Sequence, residues 1–209
     1  MGTGRRRSEK GKTEMFEIFA YVERMKYIRR WALMRSLREE NDMEHSFQVA
    51  YVAHALAIIR NEYFGGGADI GRVLEIAMYH DLSETITGDM PTPVKHINPQ
   101  LRALYGGLES SAKERLLSTL PEELKISYSA FIAPDTASIE YKLVKAADKL
   151  SAYLKCIEET KSGNSEFRRA MEGKREELLA CGMKEVLFFM EKIVPVYLLT
   201  LDELDLAEK

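Results

Sequence analysis

The stretch Ala77–Glu84, with the sequence AMYHDLSE, places His80 and Asp81 side by side where an apolar segment ends. Apolar residues at helical spacing precede the pair, which predicts a short helix from about Asp69 to Asp81. Glu84 follows one turn later. A neighbouring imidazole and carboxylate can bind the same divalent cation, so this stretch predicts half of a metal site.

A second imidazole and a second carboxylate lie in the two most apolar helical segments. His45 begins the segment from about Met43 to Ile59, which is apolar on most sides and predicts a helix buried near the centre. Asp148 lies inside a long predicted helix from Ile139 to Thr160. A carboxylate is costly to bury alone and normally needs a partner. Two imidazoles and two carboxylates form a mixed site suited to Mn, Fe, Co, Ni or Zn.

The rest of the chain also has helical periodicity, and Val/Ile/Thr alternation is nearly absent. Further helices are predicted from about Met15 to Met25, from Leu101 to Ala112, after Pro121, and from Ser165 to Val194 with an interruption near Cys181. The proline-rich segment 87–99 predicts a loop. The sequence therefore predicts an all-α fold, a single-domain helical bundle.

Composition excludes several classes of protein. The 209 residues, 45% of them hydrophobic, suit one domain, and the net charge of −3 gives no general attraction to nucleic acid. No apolar run reaches about 18 residues, so a membrane span is not expected. Two cysteines, Cys156 and Cys181, fit a reducing compartment, and the predicted location is cytoplasmic.

The N-terminal segment differs from the remainder. Residues 1–12 hold five basic residues and one acidic residue, a charge of +4, with no large apolar side chain after Met1. We predict a disordered basic extension over residues 1–14 and one domain over residues 15–209. The alternative is a basic arm that contacts nucleic acid or a membrane.

Longer segments around the candidate metal ligands carry a family resemblance. The pattern His45…His80-Asp81…Asp148, with 34 and 66 intervening residues, resembles the HD-domain metal-dependent phosphohydrolases. The flanking segments are similar to those of the bacterial 5′-deoxynucleotidases, the YfbR-like proteins. These segments are RWALMR (30–35), EHS (44–46), AMYHDLSE (77–84), TGDMPTPVK (87–95) and ADKLSAYLKC (147–156). The resemblance extends from about Phe16 to Asp202.

The resemblance implies a fold of the HD-domain type and hydrolysis of 2′-deoxyribonucleoside 5′-monophosphates to deoxynucleoside and phosphate. It implies that one divalent metal ion (Co, Mn, Mg, Ni, Fe or Zn) is bound by His45, His80, Asp81 and Asp148. It implies substrate contacts at Arg30, Trp31, Asp81, Asp89, Met90, Pro91, Thr92 and Asp148, with catalytic roles for Arg30, Glu84 and Asp89. It also favours a homodimer, and the apolar segment Val186–Leu201 is either part of the core or the dimer interface.

Elementary chemistry fits these roles. Arg30 can hold two phosphate oxygens at once and stabilise charge in the transition state. Asp89 or Glu84 could orient the attacking water or protonate the leaving 5′-oxygen, and the sequence does not divide these roles. Trp31 offers a flat face for the sugar or base, and close packing there would exclude a ribose 2′-hydroxyl.

Other functions remain open from the sequence. One is a different HD phosphohydrolase, acting on a nucleoside triphosphate or a cyclic nucleotide. The matching segments show no further basic cluster beside Arg30 that would hold a triphosphate, and Lys95 is the only nearby cation on the proline-rich segment. The other is a non-catalytic nucleotide-binding regulatory module. We predict no ligand role for His54, which falls opposite His45 on their helix, or for His96, a loop histidine.

Overall fold

The computed structural model describes residues 16–95 and 97–204, which contain ten α-helices. They are α1 (Ile18–Arg24), α2 (Asp42–Tyr63), α3 (Ile70–Tyr79), α4 (Glu84–Thr87), α5 (Thr92–Lys95), α6 (Pro99–Ser118), α7 (Glu122–Ile132), α8 (Ile139–Lys161), α9 (Arg168–Leu179) and α10 (Lys184–Phe188). Shorter 3₁₀ turns cover Met25–Tyr27, Ser165–Phe167 and Val194–Leu198, and a π turn covers Phe189–Ile193.

These described residues contain no β-strand, only an isolated bridge between Arg29 and Asn41. The prediction of an all-α, single-domain helical fold is therefore confirmed. No helix within the described part of the chain is both long and apolar enough to cross a membrane.

Polar caps start the helices that carry the candidate metal ligands. Asn41 accepts hydrogen bonds from the backbone N–H groups of Met43 and Glu44, and the Glu44 side chain accepts from the Asn41 N–H. Asp69 caps α3 and Ser138 caps α8 in the same way. Each cap satisfies a backbone donor that the helix leaves free, which contributes about 1 kcal/mol.

The core forms where α2, α3 and α8 pack against one another. Its fully buried residues include Val49, Val52, Leu56, Val73, Leu143 and Leu150. Each such side chain stabilises the fold by about 1.5–3 kcal/mol. A second apolar cluster includes Ile18, Leu82, Leu116 and Ile132 and joins α1, α6 and α7 beneath the residues that follow α3. The two clusters fix the ends of α2, α3 and α8 relative to each other.

Two local expectations are corrected. The segment predicted as a loop, 87–99, contains α5, because Pro93 lies in its first turn, where the missing N–H is not needed. The second correction is partial: the segment Met43–Ile59 lies at the centre of the core as predicted, but one side of α2 is exposed. Phe47 is 78% exposed and Ile58 is 40% exposed.

Candidate active site

Four side chains predicted as metal ligands converge from three helices. His45 Nε2 lies 3.1 Å from Asp148 Oδ1 and 3.8 Å from Asp81 Oδ2. His80 Nε2 lies 3.0 Å from the same Asp81 oxygen, and the two imidazole rings are 5.5 Å apart. The first turn of α2, the C-terminal end of α3 and the middle of α8 meet at this point.

The tautomer of His80 shows that this cluster fits a cation. Its Nδ1 lies 2.7 Å from the carbonyl oxygen of Ala77, an acceptor, so Nδ1 carries the ring proton. The His80 Nε2 lies 3.0 Å from Asp81 Oδ2; burial alone would lower the pKa of His80, but the charge of Asp81 raises it, so in the metal-free protein a proton lies between these two atoms. Two electron-pair donors 3.0 Å apart attract only when a proton or a metal ion lies between them.

The two carboxylates of the cluster are held in the ionised form. Burial alone would raise the pKa of Asp81, but His80 and Arg30 lower it well below its usual range. Burial likewise opposes ionisation of Asp148, yet Lys145 and His45 hold its pKa below the ordinary value. A divalent cation therefore meets charged oxygen ligands at neutral pH.

Arg30 lies beside this cluster in the non-helical segment between α1 and α2. Its guanidinium contacts Asp81 Oδ2 at 3.0 Å, Asp42 Oδ1 at 3.5 Å and Glu40 Oε2 at 3.5 Å. Burial favours the neutral form, but Asp81, Asp148 and Glu40 raise the pKa of Arg30 overall. Arg30 is therefore a fixed, permanently charged group and not the solvated end of a helix.

Trp31 has a left-handed backbone with φ of 58°, which is costly for a bulky side chain. Two contacts hold the indole in place. Nε1 donates a hydrogen bond to Glu40 Oε2 at 3.0 Å, and the ring lies 5.2 Å from that of Phe167. Glu40 thus contacts both residues of the Arg30-Trp31 pair.

The segment after Trp31 is anchored to α8 by a buried ion pair. Glu159 accepts hydrogen bonds from the backbone N–H groups of Leu37 (2.8 Å) and Arg38 (3.2 Å). Lys155 donates to Glu159 Oε1 and to the Arg38 carbonyl, each at 2.6 Å. These hydrogen bonds fix the segment that carries Arg30 and Trp31 on the helix that carries Asp148.

Three further carboxyl groups lie near Arg30 and Asp81. Burial and the charge of Asp81 raise the pKa of Asp42 to about 7. Burial, with the charges of Asp81, Asp42 and Asp89, raises the pKa of Glu84 to about 10. Burial also raises the pKa of Asp89, although Arg30 and Lys95 oppose this shift. At neutral pH in the metal-free protein, Glu84 therefore holds a proton.

Lys95 links Glu84 to helix α6. Its Nζ lies 3.7 Å from Glu84 Oε1, 3.3 Å from Glu109 Oε1 and 4.6 Å from the centre of the Tyr105 ring. The Tyr105 hydroxyl donates a hydrogen bond to the Gly88 carbonyl at 3.2 Å. Gly88 has φ of 72°, a conformation that favours glycine. This network fixes the turn that presents Asp89.

Many of these groups border a cavity of about 560 Å³. Its lining includes Arg30, Trp31, His80, Asp81, Glu84, Asp89, Met90, Pro91 and Asp148. His45 lies beneath its floor and is fully buried. The volume falls in the range of small-molecule sites, roughly 300–1,000 Å³.

A family model described as 5′-deoxynucleotidase YfbR-like matches residues 17–197. This chain belongs to the YfbR-like family. The resemblance found in the sequence is thereby confirmed.

Curated relatives carry the same name. A 5′-deoxynucleotidase of Vibrio cholerae is 46% identical over 187 residues, which cover 89% of this chain and 96% of the relative. The 5′-deoxynucleotidase YfbR of Shigella dysenteriae is 48% identical over 187 residues, covering 89% and 94% of the two chains.

Solved structures share the fold of this YfbR-like chain. An HD-domain phosphohydrolase of Listeria innocua has a TM-score of 0.77 at 23% identity, covering 87% of this chain and 88% of its own. An HD phosphohydrolase of cyanophage S-2L, bound to dA and one catalytic Zn²⁺ ion, has a TM-score of 0.57 at 22% identity, covering 85% and 96%.

The residues predicted for the site lie together around this cavity, except for two positions that the structure does not describe fully. The side chain of Thr92 and the whole of His96 lie outside the described part of the chain. His54 lies in α2, and its lack of a ligand role stays a prediction.

Sequence reasoning missed several residues of the YfbR-like site. Glu40 and Asp42 contact Arg30, and four more lysines line the cavity, namely Lys113, Lys145, Lys149 and Lys174. Sequence reasoning considered only the cations of the proline-rich segment, where Lys95 is the one lysine, and did not place these four lysines at the cavity. The lysines belong to α6, α8 and α9, outside the proline-rich segment that was considered, and only the tertiary fold brings them together.

Proposed function

We propose that this chain is a metal-dependent 5′-nucleotidase that hydrolyses 2′-deoxyribonucleoside 5′-monophosphates to a deoxynucleoside and phosphate. The observation that carries the proposal is the convergence of His45, His80, Asp81 and Asp148 beside Arg30 at the cavity floor. The names of the Vibrio and Shigella relatives support the same substrate class.

In this proposal one divalent metal ion is bound by His45, His80, Asp81 and Asp148. The 3.0 Å separation of His80 Nε2 and Asp81 Oδ2, which only a proton or a metal ion can bridge favourably, supports this ligand set. When bound, the ion supplies positive charge that polarises the phosphate and lowers the pKa of water. Mixed imidazole and carboxylate ligands suit Co, Mn, Ni, Fe or Zn. They suit Mg less well, because Mg prefers oxygen ligands to nitrogen. The Zn²⁺ ion of the cyanophage protein is one precedent.

The protein's own residues would position the ester. The Arg30 guanidinium binds phosphate oxygens and stabilises the charge that develops on them during P–O cleavage. Trp31 borders the sugar, and Asp89, Met90, Pro91 and Thr92 contact the nucleoside, while Asp81 and Asp148 approach the phosphate from the floor. Glu84 donates a proton to the leaving 5′-oxygen, since it is the carboxyl group with the pKa raised to about 10. Asp89 then orients the attacking water.

Phosphate release from four substrates tests the function. Metal-stripped protein is resupplied with Co²⁺, Mn²⁺, Mg²⁺ or Zn²⁺ and assayed with dAMP, AMP, dATP and an aryl phosphate. We expect metal-dependent turnover of dAMP, with weak activity on AMP and dATP. Activity on dATP alone would instead indicate a triphosphohydrolase. Binding of metal and nucleotide without turnover of any substrate would indicate a regulatory module.

Trp31→Ala is expected to relax the preference for deoxyribose. The indole is held by Glu40 and Phe167, so it cannot move aside to admit a 2′-hydroxyl. We expect the ratio of kcat/KM for dAMP to that for AMP to fall by about tenfold, because exclusion of one small group is worth roughly 1–3 kcal/mol. An unchanged ratio would contradict this role. Phe19→Ala, at an exposed aromatic outside the cavity, is the matched control.

The proposed assembly is a homodimer formed through α2. Phe47, Tyr51 and Ile58 form one exposed apolar stripe on this helix, and Val196, Leu198 and Leu199 of the segment Val186–Leu201 are also exposed. A contiguous apolar surface of this kind is typical of an interface. We expect a solution mass of twice the 23.9 kDa chain by light scattering. Phe47→Glu should give monomers, and a monomeric wild type would contradict the proposal.

The remaining parts of the proposal concern location and boundaries. A cytoplasmic location is supported by two free cysteines, Cys156 and Cys181. The catalytic domain is proposed to span residues 15–209. The predicted basic extension, residues 1–14, lies outside the described residues.

A further inference from the structure

Six basic side chains line the cavity, and five of them already have a carboxylate partner. The pairs are Arg30 with Asp81 (3.0 Å), Lys95 with Glu109 (3.3 Å), Lys145 with Asp148 (3.0 Å), Lys149 with Glu177 (3.5 Å) and Lys174 with Glu177 (3.8 Å). An anion that enters the cavity must compete with these carboxylates for the five cations. The sixth cation, Lys113, is different.

Lys113 makes no hydrogen bond and no ion pair with any residue in the described ranges 16–95 and 97–204. It extends from α6, is partly buried, and borders the cavity. Burial lowers the pKa of its ammonium group, and Glu109, whose carboxylate is engaged by Lys95, only partly opposes this. Lys113 and three candidate metal ligands, His80, Asp81 and Asp148, line the same cavity.

We propose that Lys113 binds the phosphate group of the substrate from the α6 wall of the cavity. This inference rests on the proposed phosphomonoesterase function and adds a phosphate-binding residue to it. A partly dehydrated ammonium group without a counter-charge is unfavourable, and a phosphate dianion supplies that charge. Arg30 reaches the cavity from the segment before α2, so the two cations belong to separate elements of the fold.

The same geometry assigns Lys113 to phosphate rather than to the nucleoside. The charges that act on Lys113 include the candidate ligand Asp81 and Lys145, which pairs with the candidate ligand Asp148, whereas Trp31 and the segment 89–91 border the rest of the cavity. Loss of the ammonium group should therefore weaken every ligand that carries a phosphate and spare a ligand that lacks one.

Lys113→Met keeps the length of the side chain and removes its charge, and we expect a selective loss of phosphate binding. In the metal-loaded enzyme, the inhibition constant of inorganic phosphate should rise at least tenfold, and KM for dAMP should rise with it. The inhibition constant of deoxyadenosine, which has no phosphate, should change less than twofold. Lys113→Arg should restore most of the phosphate affinity.

Arg115→Met is the matched control, since it removes one positive charge from the exposed face of the same helix. It should leave both inhibition constants unchanged. If phosphate and deoxyadenosine weaken equally in Lys113→Met, the residue is structural and the inference fails. The inference also fails if neither constant changes.

Calorimetric titration of inorganic phosphate into the metal-loaded protein separates this inference from the proposed function. If the wild type hydrolyses no deoxynucleotide, the proposed function fails, but a loss of phosphate binding in Lys113→Met would still place the ammonium group at an anion site. If the wild type is active and Lys113→Met binds phosphate normally, only the role of Lys113 is overturned.

Discussion

Asp81→Asn should remove bound metal and lower kcat/KM for dAMP by at least about 10³-fold, the largest loss expected in this protein. One Asp81 oxygen lies 3.0 Å from both His80 Nε2 and the Arg30 guanidinium. The substitution preserves side-chain size but removes the negative charge that both groups use. The metal content of the purified variant, measured by mass spectrometry beside phosphate release, checks the prediction.

Asp202→Asn, at an exposed aspartate far along the chain, is the control for a change of charge alone and should retain metal and activity. Asp81→Asn should also fold, because removal of one negative charge relieves repulsion with Asp42 and Glu84 in the metal-free state. A variant that binds a full equivalent of metal and hydrolyses dAMP at the wild-type rate would show that Asp81 is not a ligand.

The sequence predicts the helices that carry the site because their signals are local. Asn41 with Glu44 forms a capping box that starts α2, and apolar spacing alone locates α3 and α8. The His80-Asp81 pair marks the end of α3, because the apolar spacing of that helix stops there. These features depend on residues only a few positions apart, so a single sequence is enough to find them.

The parts that sequence missed depend on long-range packing. The α2 pattern does not show that Phe47 faces away from α3 and α8. Nothing local indicates that Lys113 borders the same cavity as Asp148, 35 positions along the chain. The left-handed backbone of Trp31 is likewise unexpected for an indole, because contacts with Glu40 and Phe167 offset its cost.

The crowding of carboxylates explains why one of them can act as an acid. Asp42, Asp81, Glu84 and Asp89 lie close enough to raise one another's pKa, and they cannot all be ionised without a cation among them. Asp81 remains charged because His80 and Arg30 contact it. Glu84 is 7% exposed and its Oε2 has no hydrogen-bond partner among the described residues, so it retains a proton most readily.

Glu84→Gln is therefore expected to lower kcat for dAMP by about 10²–10⁴-fold, the usual contribution of general acid catalysis, with KM changed less than about threefold. The amide fills the same space and cannot transfer a proton. In the wild type, activity should fall as pH rises through the pKa of Glu84, because the acid form is the active one. A bound metal ion favours the ionised form of Glu84, so in the metal-loaded enzyme this fall in activity, the alkaline limb of the pH profile, occurs below pH 10.

Comparison with Asp89→Asn decides which carboxyl group is the acid, since only the variant that lacks the acid loses the alkaline limb of its pH profile. Glu114→Gln, at an exposed position of α6, controls for the amide substitution and should keep the wild-type pH profile.

The stability of the metal-free protein gives a second test of the role of Glu84. A folded-state pKa raised to about 10 means that, as pH rises from about 4.5 to about 10, Glu84 ionises in the unfolded chain but not in the folded protein, so the fold loses stability over this range. Glu84→Gln removes that loss, so the metal-free variant should melt at a higher temperature than the wild type at pH 8. A lower melting temperature, with the alkaline limb retained, would make Glu84 a structural carboxylate and assign the proton to Asp89.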